Sequence, residues 1–105
     1  MKKPIIFILN KGQAYQSRED LDRGEIQLNT GMRTALRVIM KEGDQDYKLA
    51  VITSDPDGSN PILHNITMDN ARDLVKVKKY KNISFLLVDG TPDASYTFEM
   101  EFANP

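Results

Sequence analysis

No cysteine occurs among the 105 residues, which excludes disulfides, thiolate metal sites and cysteine nucleophiles together. A cysteine-free chain fits a reducing compartment, and the cytoplasm is the expected setting. Histidine occurs once, at His64. One imidazole cannot build a histidine metal site, and no nucleophile elbow accompanies it to form a triad, so His64 reads as a partly exposed loop residue. There is no Gly-x-Gly-x-x-Gly and no phosphate loop. Apolar runs are short. Ile5 to Leu9, near the N-terminus, falls below a signal-peptide core and far below the ~20 residues of a membrane span. The net charge is −1, so no global field draws the chain to nucleic acid or to an anionic membrane. Any electrostatic function has to come from a local patch. The expectation is a non-enzyme without cofactor, metal or membrane partner.

What is present describes an ordinary globular chain. With 40% hydrophobic and 28% charged residues, a chain of this length can bury roughly two thirds of its unfolded surface without staples. Residues 1–105 read as a single domain. The expected fold is α+β (mixed α/β): a four- to five-stranded mixed sheet with one or two packed helices. Ile5–Leu9 reads as a central strand covered on both faces. A short helix at Arg18–Arg23 and a strand at Glu25–Asn29 follow. Met32–Glu42 supports two readings. At helical spacing Met32, Ala35, Leu36, Ile39 and Met40 form a stripe, which composition favours. At period two Met32, Thr34, Leu36, Val38 and Met40 line one face of a strand that would pair with Tyr47–Thr53. Ser54–Pro61 is a loop on its turn chemistry, and Ile62–Ile66 a short extended piece.

The main helix is expected over about 68–80, with Met68, Ala71, Leu74 and Val75 inward. Asp69 and Asp73 lie near its start and lysines at its end, the polarity a helix dipole prefers. Ile83–Val88 reads as a second buried strand. Tyr96, Phe98, Met100 and Phe102 alternate with Thr97, Glu99 and Glu101, which predicts a last strand with one wet face at the sheet edge.

Two constellations carry chemistry. The basic turn Lys76, Val77, Lys78, Lys79, Tyr80, Lys81 offers point charges and a stacking ring to a polyanion, and Arg33, Arg37 and Lys41 would extend it. Its bland counterpart is lysines gathered at a helix C-terminus with Tyr80 packed on the core. The second is acidic. If strands ending at Leu9, Thr53 and Val88 were parallel neighbours, Asn10, Asp55, Asp57 and Asp89 would meet at their carboxyl edge, where open α/β sheets bind ligands. Asp55 to Asn60 fails the calcium-loop spacing, so turn formation is the favoured reading of those aspartates.

The segments LAVITSDPDG (49–58) and KVKKYKNISFLLV (76–88) resemble two stretches of the flavin-binding split barrels similar to pyridoxamine phosphate oxidase. The likeness covers about a fifth of the chain. Too few residues lie between Gly58 and Lys76 for the family's flavin-contacting strands, so no flavin is expected.

The function expected from these residues is that of a small non-enzymatic accessory protein, an inhibitor or modulator of the kind phages and mobile elements encode. It would act by docking on another protein or on a second copy of itself. An anionic ligand or nucleotide at the sheet's carboxyl edge, or nucleic acid at the basic turn, is the alternative. The binding residues so named are Lys76, Lys78, Lys79, Tyr80, Lys81, Arg33 and Arg37.

Overall fold

The computed structural model describes residues 5–11, 14–15 (backbone only) and 28–103. Among them there is no helix. Eight strands run β1 (Ile5–Asn10), β2 (Ala14–Tyr15), β3 (Ala35–Glu42), β4 (Lys48–Ser54), β5 (Ile62–Ile66), β6 (Val75–Lys76), β7 (Asn82–Asp89) and β8 (Ser95–Ala103). They form two four-stranded sheets of order β1-β8-β3-β6 and β2-β7-β4-β5, and every pairing is antiparallel. Strand 1 pairs with 8, 2 with 7, 3 with 6 and 4 with 5. The chain thus behaves as one long hairpin with its tip at 55–61, rolled until 8 also meets 3 and 7 also meets 4. That is the strand order of a jelly roll.

The core lies between the sheets and follows period two. Ile83, Phe85 and Leu87 of β7 and Tyr96, Phe98 and Met100 of β8 are buried, and the residues between them face out. Phe7 joins the two sheets: its ring stacks on Phe85 at 4.5 Å and on Phe98 at 5.6 Å. Each fully buried aromatic or leucine contributes about 1.5–3 kcal/mol relative to an exposed one.

The α+β expectation is overturned at both helices. Ala35–Glu42 takes the period-two form, with Leu36 and Val38 buried and Arg37 and Ile39 only partly covered, while Met32 lies exposed in the turn before it. Tertiary packing against β8 overrides the helix propensity of Met, Ala, Leu and Arg. The hairpin with β4 does not form either, because residues 43–47 carry the chain across to the opposite sheet. The helix over 68–80 is replaced by turns at 68–73, the two-residue β6 and a further turn at 79–80. Asn70 is the cause. Its side chain accepts from the Thr67 N–H at 2.8 Å and donates to the Asn65 carbonyl at 3.0 Å, bonds that hold a turn rather than a helix. Downstream, Val75 and Val77 turn inward while Lys76 and Lys78 stay exposed, an alternation that helical spacing conceals.

Edges are exchanged as well. β8 sits between β1 and β3, so its Glu101 and Glu99 do not guard an edge; they lie 3.6 Å from Arg37 and 3.9 Å from Lys41 across the strand pair. β1, expected at the centre, pairs only with β8 among the described residues and leaves Ile6 62% and Ile8 60% exposed. The strands at Tyr47–Thr53, Ile62–Ile66, Ile83–Val88 and Tyr96–Phe102 match the sequence reading. Arg18–Arg23 and most of Glu25–Asn29 lie outside the described residues. No helix of the described residues is long and apolar enough to cross a membrane.

Candidate functional site

The sequence-derived basic residues converge on a ribbon formed by 28–36 and 75–83. The two stretches run antiparallel, through Leu36↔Val75 and Ala35↔Lys76, then Val77 N–H to Thr34 O at 2.9 Å, Tyr80 N–H to Gly31 O at 2.8 Å, and Ile83 N–H to Leu28 O at 3.0 Å. Arg33 and Arg37 therefore lie on the strand beside Lys76, Lys78, Lys79 and Tyr80. No helix dipole is available to account for the lysines.

Thr30 fixes this ribbon. It is fully buried; its hydroxyl donates to the Lys78 carbonyl at 2.7 Å and accepts from the Lys81 N–H at 2.8 Å. Its own N–H reaches the Lys81 carbonyl at 2.7 Å. The 78–81 turn is thus held from three sides by one residue. The signal available was Asn29-Thr30-Gly31: the Asn29 side chain accepts from the Gly31 N–H at 2.8 Å, and Gly31 adopts a positive φ of 57°. Thr30 also accepts from the Arg33 N–H at 2.9 Å, closing a turn that displays Met32.

Tyr80 is not core. It is 59% exposed at a φ of +60°, and its hydroxyl contacts the sulfur of Met32, itself 63% exposed. A non-glycine residue in the left-handed region costs about 1–2 kcal/mol, so the surrounding bonds must enforce this display. Arg33 stacks on the Phe102 ring at 4.4 Å. Arg37 lies 3.6 Å from Glu101 and donates to the Arg72 carbonyl at 3.1 Å. Lys76, Lys78 and Lys79 are exposed and make no ion pair among the described residues. Lys81 leaves the group: its ammonium is bound by Asp55.

The acidic constellation does not assemble. β4 and β7 are antiparallel, which sets Ser54 beside Asn82 at one end and Lys48 beside Asp89 at the other. Asp55 and Asp57 therefore sit far along the strands from Asp89, whose carboxylate lies 3.6 Å from Lys11. The loop carboxylates are engaged locally. Asp55 accepts from Lys81, from Asn60 at 2.8 Å and from Ser59 at 3.3 Å, and the Lys81 bond leads in pulling its pKa down to about 2. Ser59 donates to Asp57 at 2.6 Å and lowers its pKa too. Among the described residues no cluster of three or more His, Asp and Glu could hold a metal ion.

A cleft adjoins the ribbon at Val75 and Lys76. Residues 67–74 pass from β5 to β6 along the open side of the sandwich, and beneath them a space of about 370 Å³ is lined by residues including His64, Asp73, Leu74 and Lys76. His64 is on β5, facing inward opposite Val51, not in a loop. Its Nε2 is buried without a hydrogen-bond partner, and desolvation depresses its pKa below 6.5. Set against protein-family models, curated proteins and solved structures, the chain finds no significant match to any.

Proposed function

We propose that this is a non-enzymatic accessory protein that docks its basic ribbon on an acidic surface of a partner protein. The observation that carries this reading is Tyr80: a strained, exposed aromatic held by Thr30 amid exposed lysines with no ion pair among the described residues. Neither part of the bland explanation remains, because the lysines end no helix and the tyrosine covers no core. Like charges gathered on one ribbon repel, and a polyanionic partner relieves that repulsion. Cation-rich rims steer encounter and set specificity, while an exposed aromatic supplies contact area. A cytoplasmic setting accords with the cysteine-free composition.

Retention on heparin resin tests the ribbon. Lys78→Glu with Lys79→Glu should elute at markedly lower salt than the parent, at unchanged melting temperature, since both side chains are exposed. Unchanged retention overturns the proposal. Nucleic acid is the second reading, favoured only by the stacking platform that Tyr80 presents. Titration with a labelled single-stranded oligonucleotide separates the two: a Tyr80→Ala loss of oligonucleotide affinity greater than its loss of heparin retention selects nucleic acid.

A further inference from the structure

We propose that the cleft between β5 and β6 binds a small zwitterion, a free α-amino acid with an apolar side chain. The space of about 370 Å³ lies at the small end of ligand pockets, which span about 300–1,000 Å³. That size suits one small molecule. The lining combines three kinds of group. Ile66 and Leu74 form an apolar wall, and Leu74 stands 45% exposed. Asp73 and Lys76 bring one negative and one positive charge. His64 brings an imidazole whose Nε2 is buried without a hydrogen-bond partner.

The two charges carry the argument. They line one cleft, yet no ion pair joins them, and neither has an ion-pair partner among the described residues. Each is anchored by its own backbone. The Asp73 N–H donates to the Asn70 carbonyl at 3.0 Å within the turn, and Lys76 sits in β6 opposite Ala35. Asn70 in turn braces the Thr67 N–H and the Asn65 carbonyl through its side chain. The walls therefore stand before a ligand arrives, which lowers the ordering cost of binding. A purely anionic ligand would meet Asp73, and a purely cationic one would meet Lys76, so each carries a repulsion. A zwitterion satisfies both. Its carboxylate lies on the Lys76 ammonium, its ammonium on the Asp73 carboxylate, and its apolar side chain along Leu74 and Ile66. His64 stays mostly neutral at about pH 7, because burial lowers its pKa, and leaves this balance of charge intact.

Because His64 is the only histidine of the chain, its imidazole C–H resonances report on the cleft without ambiguity. Titration of the full chain with L-leucine at about pH 7 should move them saturably, with half-saturation below about 1 mM. N-acetyl-L-leucine lacks the ammonium and L-leucinamide lacks the carboxylate, so each should bind about tenfold more weakly or worse. Lys76→Gln should weaken L-leucine by about tenfold while leaving L-leucinamide binding as it was. Asp73→Asn should likewise weaken L-leucine and spare N-acetyl-L-leucine. Both side chains are exposed, so the two variants should keep the parent's melting temperature. Histidine resonances that stay fixed up to about 10 mM L-leucine overturn the proposal, as do equal binding of the three compounds or parental L-leucine affinity in either variant.

Discussion

At the scale of single residues, Tyr96 shows how one polar atom organises an end of the sandwich. Its ring is fully buried beside Tyr47 and Phe98, yet its hydroxyl donates to Asp46 at 2.7 Å and accepts from the Thr91 N–H at 2.7 Å. Thr91 in turn donates to Asp46 at 2.7 Å, and these bonds, Tyr96's first, lower the Asp46 pKa. Gly43 and Gly90 are small because a Cβ on either would come within 2.5 Å and 2.9 Å of that tyrosine. Tyr96→Phe should cost about 1–3 kcal/mol, since the Thr91 N–H loses its acceptor. Asp46 should then titrate closer to 3.8, stopping short because Thr91 still donates. Thermal unfolding and carboxyl-detected NMR measure both, and an Asp46 pKa unmoved by the change contradicts the network. Tyr47 is the counterexample: its hydroxyl is buried with no partner, and burial pushes its pKa up.

Among the elements, the 67–76 segment has the most telling history. Its sequence supports a helix by composition and polarity, and Asn70 diverts it into turns that run along the open side of the sandwich. One consequence is a pH dependence centred on His64, which shares its cleft with Asp73 and Lys76. Burial depresses the folded-state pKa of His64 below 6.5, so on acidification the unfolded chain takes up this proton first. The associated stability is complete above that pH and declines as pH falls from there toward the folded value. The melting temperature should therefore drop between about pH 7 and pH 5, before most carboxylates titrate, and His64→Leu should flatten the decline. A slope identical in parent and variant would refute the assignment. The same element supplies Lys76, so the ribbon and the cleft share one strand while facing different chemistry.

For the whole molecule, the rolled hairpin makes nearly all structure non-local: β1 pairs with β8, and β2 with β7, across most of the chain. Such topologies fold slowly because loop closure precedes the contacts that repay it. Refolding from denaturant should take milliseconds to seconds, as stopped-flow fluorescence of the tyrosines can follow. Completion within microseconds would imply that local structure dominates after all. β7 starts beside the basic ribbon, where Asp55 binds Lys81, and ends at Asp89, where Lys48 and Lys11 lie close.

Several strands were legible in the chain because their information is local. Tyr96–Phe102 alternates strictly, Ile83–Val88 is a short apolar run of buried-strand type, Tyr47–Thr53 is bounded by turn residues, and Asp55 to Pro61 could only be a loop. The basic residues could also be named, along with the suspicion that Arg33 and Arg37 belong with them. The sequence by itself left two things undecided. Met32–Glu42 satisfies both periods, and only the presence of β8 as a neighbour selects the strand. The lysines fit a helix end, and only the pairing of 28–36 with 75–83, pinned by buried Thr30, shows that they form a ribbon with an exposed tyrosine. Alternation within a strand is a property of consecutive residues. Which strand lies at an edge, and which residues far apart in the chain share a face, depends on pairings that close only in three dimensions.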